Sequence, residues 1–366
     1  MSERSERTTS TARFERRRTV DAAPAAVPDI ANVLSAAEVR QSAGHLISLQ
    51  SARGMIPWFP GGHCDPWNHV ESAMALDVAG FPAEALLAYR WLVDTQLPSG
   101  AWYNYYTASG GIEDDKLDTN VVAYAATGVW HHWLCTRSRA ELELLWPTVE
   151  RALDWVLAQR RDDGQVLWAV QADGRRTWDY ALLTGSASIA HALVCGNRAG
   201  RVLGHRRPSW VRAAKVITDA INDRSTAFEP KDRFAMDWYY PALTGAMEAG
   251  ASKARLADGW STFVMDGLGV RCVSDEPWIT ASETAEASIA FATIGDFDTA
   301  TELLGWTRRH RRGDGSYLTG IVYPDAIVFP FDEHTSYTTA AVILAADAIT
   351  GASPAAHVFT AAGHLR

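Results

Sequence analysis

A chain of 366 residues, 47% apolar and 21% charged, is long enough to bury a sizeable core, which excludes a wholly disordered or fibrous protein. Its net charge of −9 gives no general attraction to nucleic acid or anionic lipid, and no apolar run is long enough to cross a bilayer. The cysteines, Cys64, Cys135, Cys195 and Cys272, form no CxxC, so neither a structural zinc site nor a disulfide framework has support.

Residues 1–27 are polar and basic with no apolar segment behind the charges, so a flexible arm is expected rather than a secretory signal, and the protein is expected in the cytoplasm. From there the pattern predicts helices in pairs: 36–50 with 66–79, 82–97 with 118–135, and 139–160 with 180–197. It continues with 208–223 and 238–249, 251–266 and 282–294, then 297–311 and 334–350. A short helix near 354–364 closes the chain. The first member of each pair carries charge on one face and should meet water. The second is rich in Ala, Gly, Ser and Thr, which lets helices pack closely on all sides. Six buried helices ringed by six exposed ones predict an all-α fold, an (α/α)6 toroid. No linker or composition change interrupts 28–366, so one domain is expected.

A repeat supports the pairing. Trp, eight residues, then Gly recurs at Trp91/Gly100, Trp155/Gly164, Trp260/Gly269 and Trp306/Gly315, and His45/Gly54 occupies the same place in an earlier copy. A shift of 215 residues lays Glu71, Gly80, Trp91, Gly100 and Trp102 on Glu286, Gly295, Trp306, Gly315 and Tyr317. A second, local match pairs WDYALLTG (178–185) with WYYPALTG (238–245).

In such a toroid the loops entering the inner helices meet at one face. They read GGHCDPWNHVE (61–71), EDDKLDTN (113–120), TWDY (177–180), AMDWYYP (235–241), SDEPWITASE (274–283) and FPFDEHTSY (329–337). Each carries a carboxylate. Indole faces stack on sugar rings, carboxylates accept from vicinal hydroxyls, and two carboxyls can do acid and base work. A simpler role competes: Asp or Ser opening a helix is an ordinary N-cap, and Asp118 is expected to be one. Trp91, Trp155, Trp260 and Trp306 are expected to pack between layers. Trp58, Trp67, Trp102, Trp168, Trp178, Trp238 and Trp278 fall at the loop face, and about half of them are expected to be core as well.

Six helical hairpins with acidic loop ends resemble the six-hairpin glycosidases, such as glucoamylases and trehalases. This covers 36–350 as architecture, without a diagnostic motif. The size, the loop GGHCDPWNH (61–69) and the actinobacterial-looking composition are similar to the bacterial hydrolases of intracellular methylmannose polysaccharides, which are endo-acting α-(1→4)-mannosidases. The resemblance implies a glycoside hydrolase acting on α-linked oligo- or polysaccharide, with an inverting mechanism. Asp65 and Glu283 are the expected catalytic pair, Glu283 as acid and Asp65 as base, with Asp179, Asp237 and Glu333 in reserve. Trp67, His69, Asp115, Trp178, Asp179, Asp237, Trp238, Trp278, Glu333 and His334 are the expected substrate-binding residues. No metal, cofactor, nucleic acid or membrane is expected, and the protein is read as a monomer or homo-oligomer.

Two other readings stay open. QLPSGAW (96–102) and RGDGSY (312–317) resemble the QW motif of terpene cyclases, and DDKLD (114–118) matches a DDxxD diphosphate motif. Protein prenyltransferase β-subunits share the toroid, but their Asp-x-Cys zinc ligands are absent. A noncatalytic sugar-binding toroid is the third class.

Overall fold

The computed structural model describes residues 26–223 and 226–359. The arm proposed for 1–27 lies almost wholly outside the described residues, as does the end of the last predicted helix. Ser353–Phe359 form turns, so that helix does not begin where it was predicted.

The helices occur in the order α1 (Ala36–Leu49), α2 (Pro66–Val78), α3 (Pro82–Thr95), α4 (Thr119–Thr136), α5 (Arg139–Ala158) and α6 (Leu183–Leu203). Then come α7 (Pro208–Asn222), α8 (Ala235–Leu243), α9 (Ala249–Phe263), α10 (Ala281–Thr293), α11 (Phe297–Trp306) and α12 (Ser336–Thr350). The even-numbered helices touch in a closed cycle: α2 packs on α4, α4 on α6, α6 on α8, α8 on α10, α10 on α12, and α12 on α2. Every residue of α2 is buried. Small residues allow this crowding. A Cβ on Gly128 of α4 would lie 2.4 Å from Val70, and one on Gly196 of α6 would lie 2.3 Å from Leu153 of α5.

The odd-numbered helices pack outside, and the repeated glycine shows how. Gly54, Gly100 and Gly315 have φ of +96°, +101° and +91°, which glycine adopts without strain. A Cβ on each would meet the next outer helix: Leu87 O at 2.1 Å, Arg151 O at 2.4 Å and the Gln41 carbonyl carbon at 2.8 Å. The Gly315 contact joins the last hairpin to the first, and the Ser42 hydroxyl donates to Gly315 O at 2.7 Å. Gly269 differs, because its neighbours are Ile279 and Thr284 rather than an outer helix.

The class is helix-rich rather than purely helical. Short strands occupy the loops that lead into the even helices. One antiparallel sheet runs Ile327–Val328, Gly320–Val322, Trp278–Thr280, Gly269–Arg271, Val264–Met265. Another joins Lys116–Asp118, Ala169–Gln171 and Thr177–Trp178. Their β-branched residues and the indoles of Trp178 and Trp278 suit a pleated surface.

The 215-residue match is structural. Glu71 and Glu286 are each the sixth residue of their helix, Gly80 and Gly295 both have positive φ, and Trp102 and Tyr317 are both buried. The local match is not. WDYALLTG passes through strand into the start of α6, whereas WYYPALTG lies inside α8 and its C-terminal turn. Shared letters take different conformations there because tertiary contacts outweigh local preference.

Candidate active site

The first turns of the even helices lie at the same end. Thr184 of α6 donates its hydroxyl to Asp237 in the first turn of α8 at 2.6 Å. Trp67 of α2 stacks on Tyr124 of α4 with ring centroids 4.0 Å apart and planes at 10°. Tyr239 of α8 donates to Glu286 of α10. The acidic, aromatic loops foreseen from the sequence therefore converge.

Asp65 is the N-cap of α2. One carboxylate oxygen accepts from Asn68 N at 3.0 Å and the other from the Trp58 indole at 2.5 Å. Burial pushes its pKa up, against the pull of those donors. Beside it His63 stands 3.4 Å from Glu113 and 4.5 Å, ring to ring, from both Trp58 and Tyr105. Asp118 repeats the arrangement at α4, where it caps Asn120 N and Val121 N and takes the indole N–H of Trp168. Across the cycle Glu283 lies in the first turn of α10, half-buried. Its carboxylate accepts from the hydroxyls of Thr280 and Ser282, the latter at 2.7 Å, and Cys272 also reaches it.

The other expected residues divide. Asp237 is buried, with its pKa pushed up by burial. Asp115 and Asp179 are exposed, and Asp115 accepts from Gln171. Glu333 and His334 are half-buried, and His334 Nδ1 lies 2.9 Å from Asp332 O. Trp278 is half-buried, its indole donating to Phe329 O at 2.9 Å. Trp178 has the Arg176 guanidinium 4.2 Å above its ring, and Lys116 lies over Trp168 at 4.6 Å.

Three expectations need correction. His69 is fully buried: Nδ1 accepts from Ile56 N, Nε2 lies 2.9 Å from Ala88 O, and burial pushes its pKa down to about 4. It ties α2 to α3 and to the segment before α2. Trp238 is 4% exposed, stacked on Phe263 and seated over Gly259, with its indole donating to Arg255 O. Trp67 gives one face to Tyr124 and is 7% exposed, so it packs as core. Of the repeat-position indoles, Trp91 is buried, while Trp155, Trp260 and Trp306 are half-buried against the core.

Two buried glutamates lie on the same helices as Asp65 and Glu283. Glu71 accepts from Tyr124 and Glu286 from Tyr239, and each carboxyl is 4% exposed. Burial pushes both pKa values up, and Glu71 pushes Glu286 further. The 215-residue repeat had paired these two glutamates, and a carboxylate in the middle of an apolar helix is the signal that marks them. Among the described residues no cluster of His, Cys, Asp and Glu has the makings of a metal site.

No family model matches the chain. It is 43% identical over 334 residues to the MMP endo-(1,4)-3-O-methyl-α-D-mannosidase of Mycolicibacterium hassiacum, covering 91% of this chain and 92% of that one. The chain belongs to that mannosidase's family. Solved structures share its fold at low identity. A wild-type glycosidase has a TM-score of 0.68 at 13% identity, over 87% of this chain and 98% of its own. A sugar epimerase from a ruminal bacterium has a TM-score of 0.65 at 10% identity, over 85% and 98%. No described helix is long and apolar enough to cross a membrane.

Proposed function

We propose that the protein is a glycoside hydrolase that cleaves α-(1→4)-linked, partly O-methylated mannose chains internally. The observation that carries this reading is the relation to the mannosidase over nine-tenths of the chain. The closed cycle of even helices is read as the inner layer of an (α/α)6 toroid, a single domain spanning 28–366. Its open end holds Asp65 and Glu283, with Asp237, Trp178, Trp278, Glu333 and His334 around them for the sugar chain; Asp115 and Asp179 lie at the rim.

Hydrolysis needs a carboxylic acid to protonate the leaving oxygen and a carboxylate to activate water. In an inverting enzyme the two stand about 6.5–9.5 Å apart to admit that water. We assign Glu283 as acid and Asp65 as base. The hydroxyls of Thr280 and Ser282 hold the Glu283 side chain in place. The chemistry calls for no metal or cofactor, and the protein is read as cytoplasmic.

The test is product analysis. Incubated with α-(1→4)-linked 3-O-methylmannose oligosaccharides of defined length, the protein should release internal fragments at the same rate with or without EDTA. Turnover of a prenyl diphosphate that stops in EDTA, with no cleavage of any oligosaccharide, would replace this reading by the terpenoid one.

A further inference from the structure

The segment that leads into α12 carries apolar side chains that the fold leaves in water. Ile327, Phe329 and Phe331 are 58%, 52% and 94% exposed, and they alternate with half-buried Val328 and Pro330. One exposed apolar residue is ordinary, but three at alternate positions of one short segment make a patch. Phe329 extends it to Trp278, whose ring it meets edge-on with centroids 5.5 Å apart and planes at 81°.

The backbone under this patch is tied at both ends to the supports of the two carboxyls assigned to the reaction. On one side Phe329 N donates to Gly320 O at 3.0 Å, and Phe329 O accepts from the Trp278 indole at 2.9 Å. The strand Trp278–Thr280 runs into α10, and Thr280 holds Glu283. Thr319 makes a second tie. Its N–H donates to Glu333 O at 2.9 Å, and its carbonyl accepts from Ala281 N, at the start of α10, at 3.2 Å. On the other side Ser336 N donates to Trp58 O at 2.6 Å, and the Trp58 indole donates to Asp65. Between these ties Glu333 N donates to Pro330 O at 3.2 Å, and Arg312 pairs with Asp332 at 2.9 Å. Phe331 thus stands on a braced loop that links the support of Glu283 to the support of Asp65, with its own ring in water.

A phenyl ring has neither donor nor acceptor to offer. A sugar hydroxyl laid against it loses water and gains no hydrogen bond, whereas a methyl ether laid there buries carbon. Carboxylates reward hydroxyls, so recognition of a methyl ether calls for carbon surface next to them. We propose that Phe331, backed by Phe329 and Ile327, is a specificity-determining residue: its ring receives an O-methyl group of the mannose chain and discriminates the methylated chain from the unmethylated one. The proposal rests on reading the site as that of a hydrolase of O-methylated mannose chains.

The test compares wild type, F331A and F331L on two α-(1→4)-mannose oligosaccharides of equal length, one 3-O-methylated and one not. Where the unmethylated chain is not turned over, its Ki as a competitor takes the place of KM. F331A should lower kcat/KM on the methylated chain by about three- to tenfold, the worth of one buried methyl group. The loss should lie in KM, with kcat and the constants for the unmethylated chain changed less than about twofold. F331L, still apolar, should recover most of the preference, and the melting temperature of both variants should match wild type. An equal fall on both chains makes the ring a general sugar platform and overturns the proposal, as does an unchanged preference. Loss of a wild-type dimer in F331A, with the preference kept, overturns it by assigning the patch to contact between copies. Wild type that cleaves both chains equally well overturns it while the mannosidase reading stands. Wild type that cleaves neither removes both.

Discussion

At the scale of single residues, the site turns on what each carboxylate touches. Asp65 caps α2 and is the base of the proposed reaction, so a substitution must separate the two roles. Asp65→Asn keeps an oxygen for the Asn68 amide while removing the ionisable group, and Asn caps a helix about as well as Asp. Glu283→Gln likewise keeps the contacts with Thr280 and Ser282. Each change should lower kcat by about 10²- to 10⁴-fold, the usual contribution of a positioned acid or base, with little loss of stability. Steady-state kinetics beside a melting curve checks this, and near-normal turnover of Glu283→Gln would move the role to Asp237 or Glu333. Removing His69, by contrast, should act through the fold, since its ring nitrogens serve backbone groups of α3 and of the segment before α2.

At the scale of elements, the hairpins are joined by the turns after the odd helices. Except for Gly269, each repeat glycine there combines positive φ with a near contact to the neighbouring outer helix, for two independent reasons to exclude a side chain. Gly100→Ala and Gly315→Ala should each cost more than about 1 kcal/mol, because the left-handed conformation alone costs about 1–2 kcal/mol for an L-residue. The Cβ clash with a backbone carbonyl adds to that. Gly80→Ala has the same positive φ but open space around it, so it should cost less. Chemical denaturation of the three variants measures the difference. Gly315→Ala is the informative case, because it loosens the contact through which the last hairpin closes on the first.

At the scale of the whole molecule, buried charge at the far end of the even helices ties the cycle together and sets a pH dependence. Asp77 near the end of α2 accepts from His132 at 2.9 Å and stands 3.8 Å from His131, both on α4. Burial disfavours a charged His131, yet Cys135 and Asp77 outweigh it and raise its pKa to about 10. A histidine whose folded pKa exceeds its unfolded value of 6.5 stabilises fully below that value. The contribution fades as pH rises and is gone above the folded value. Glu71 and Glu286 act in the same direction: a carboxyl raised by folding binds more protons folded than unfolded, so stability falls with pH above its ordinary range. The melting temperature should therefore decline on the alkaline side. Asp77→Asn should remove on the order of 1.5–3 kcal/mol at pH 6, the range for a hydrogen bond to a charged group, and less at pH 9. An equal loss at both pH values would show that His131 carries no charge.

Much of this molecule is written locally. Helix periodicity, N-caps and the small-residue runs placed the twelve described α-helices with ends within about three residues, except the C-terminal ends of α6, α8 and α11, because each is a property of a short segment and its neighbours along the chain. The acidic loop ends and the glutamates repeated at 71 and 286 were legible for the same reason. What local pattern could not decide was which way a ring faces once helices pack. Trp238 and Trp278 both stand within two residues of a carboxylate in a loop-entry motif, yet one is sealed beneath α9 over Gly259 and the other is half-open beside Phe329. His69 reads like a site residue in the sequence and is a brace in the fold. The partners that distinguish these cases come from other hairpins, or from turns many residues away. Burial and hydrogen bonding are settled by that company, and only the folded chain assembles it.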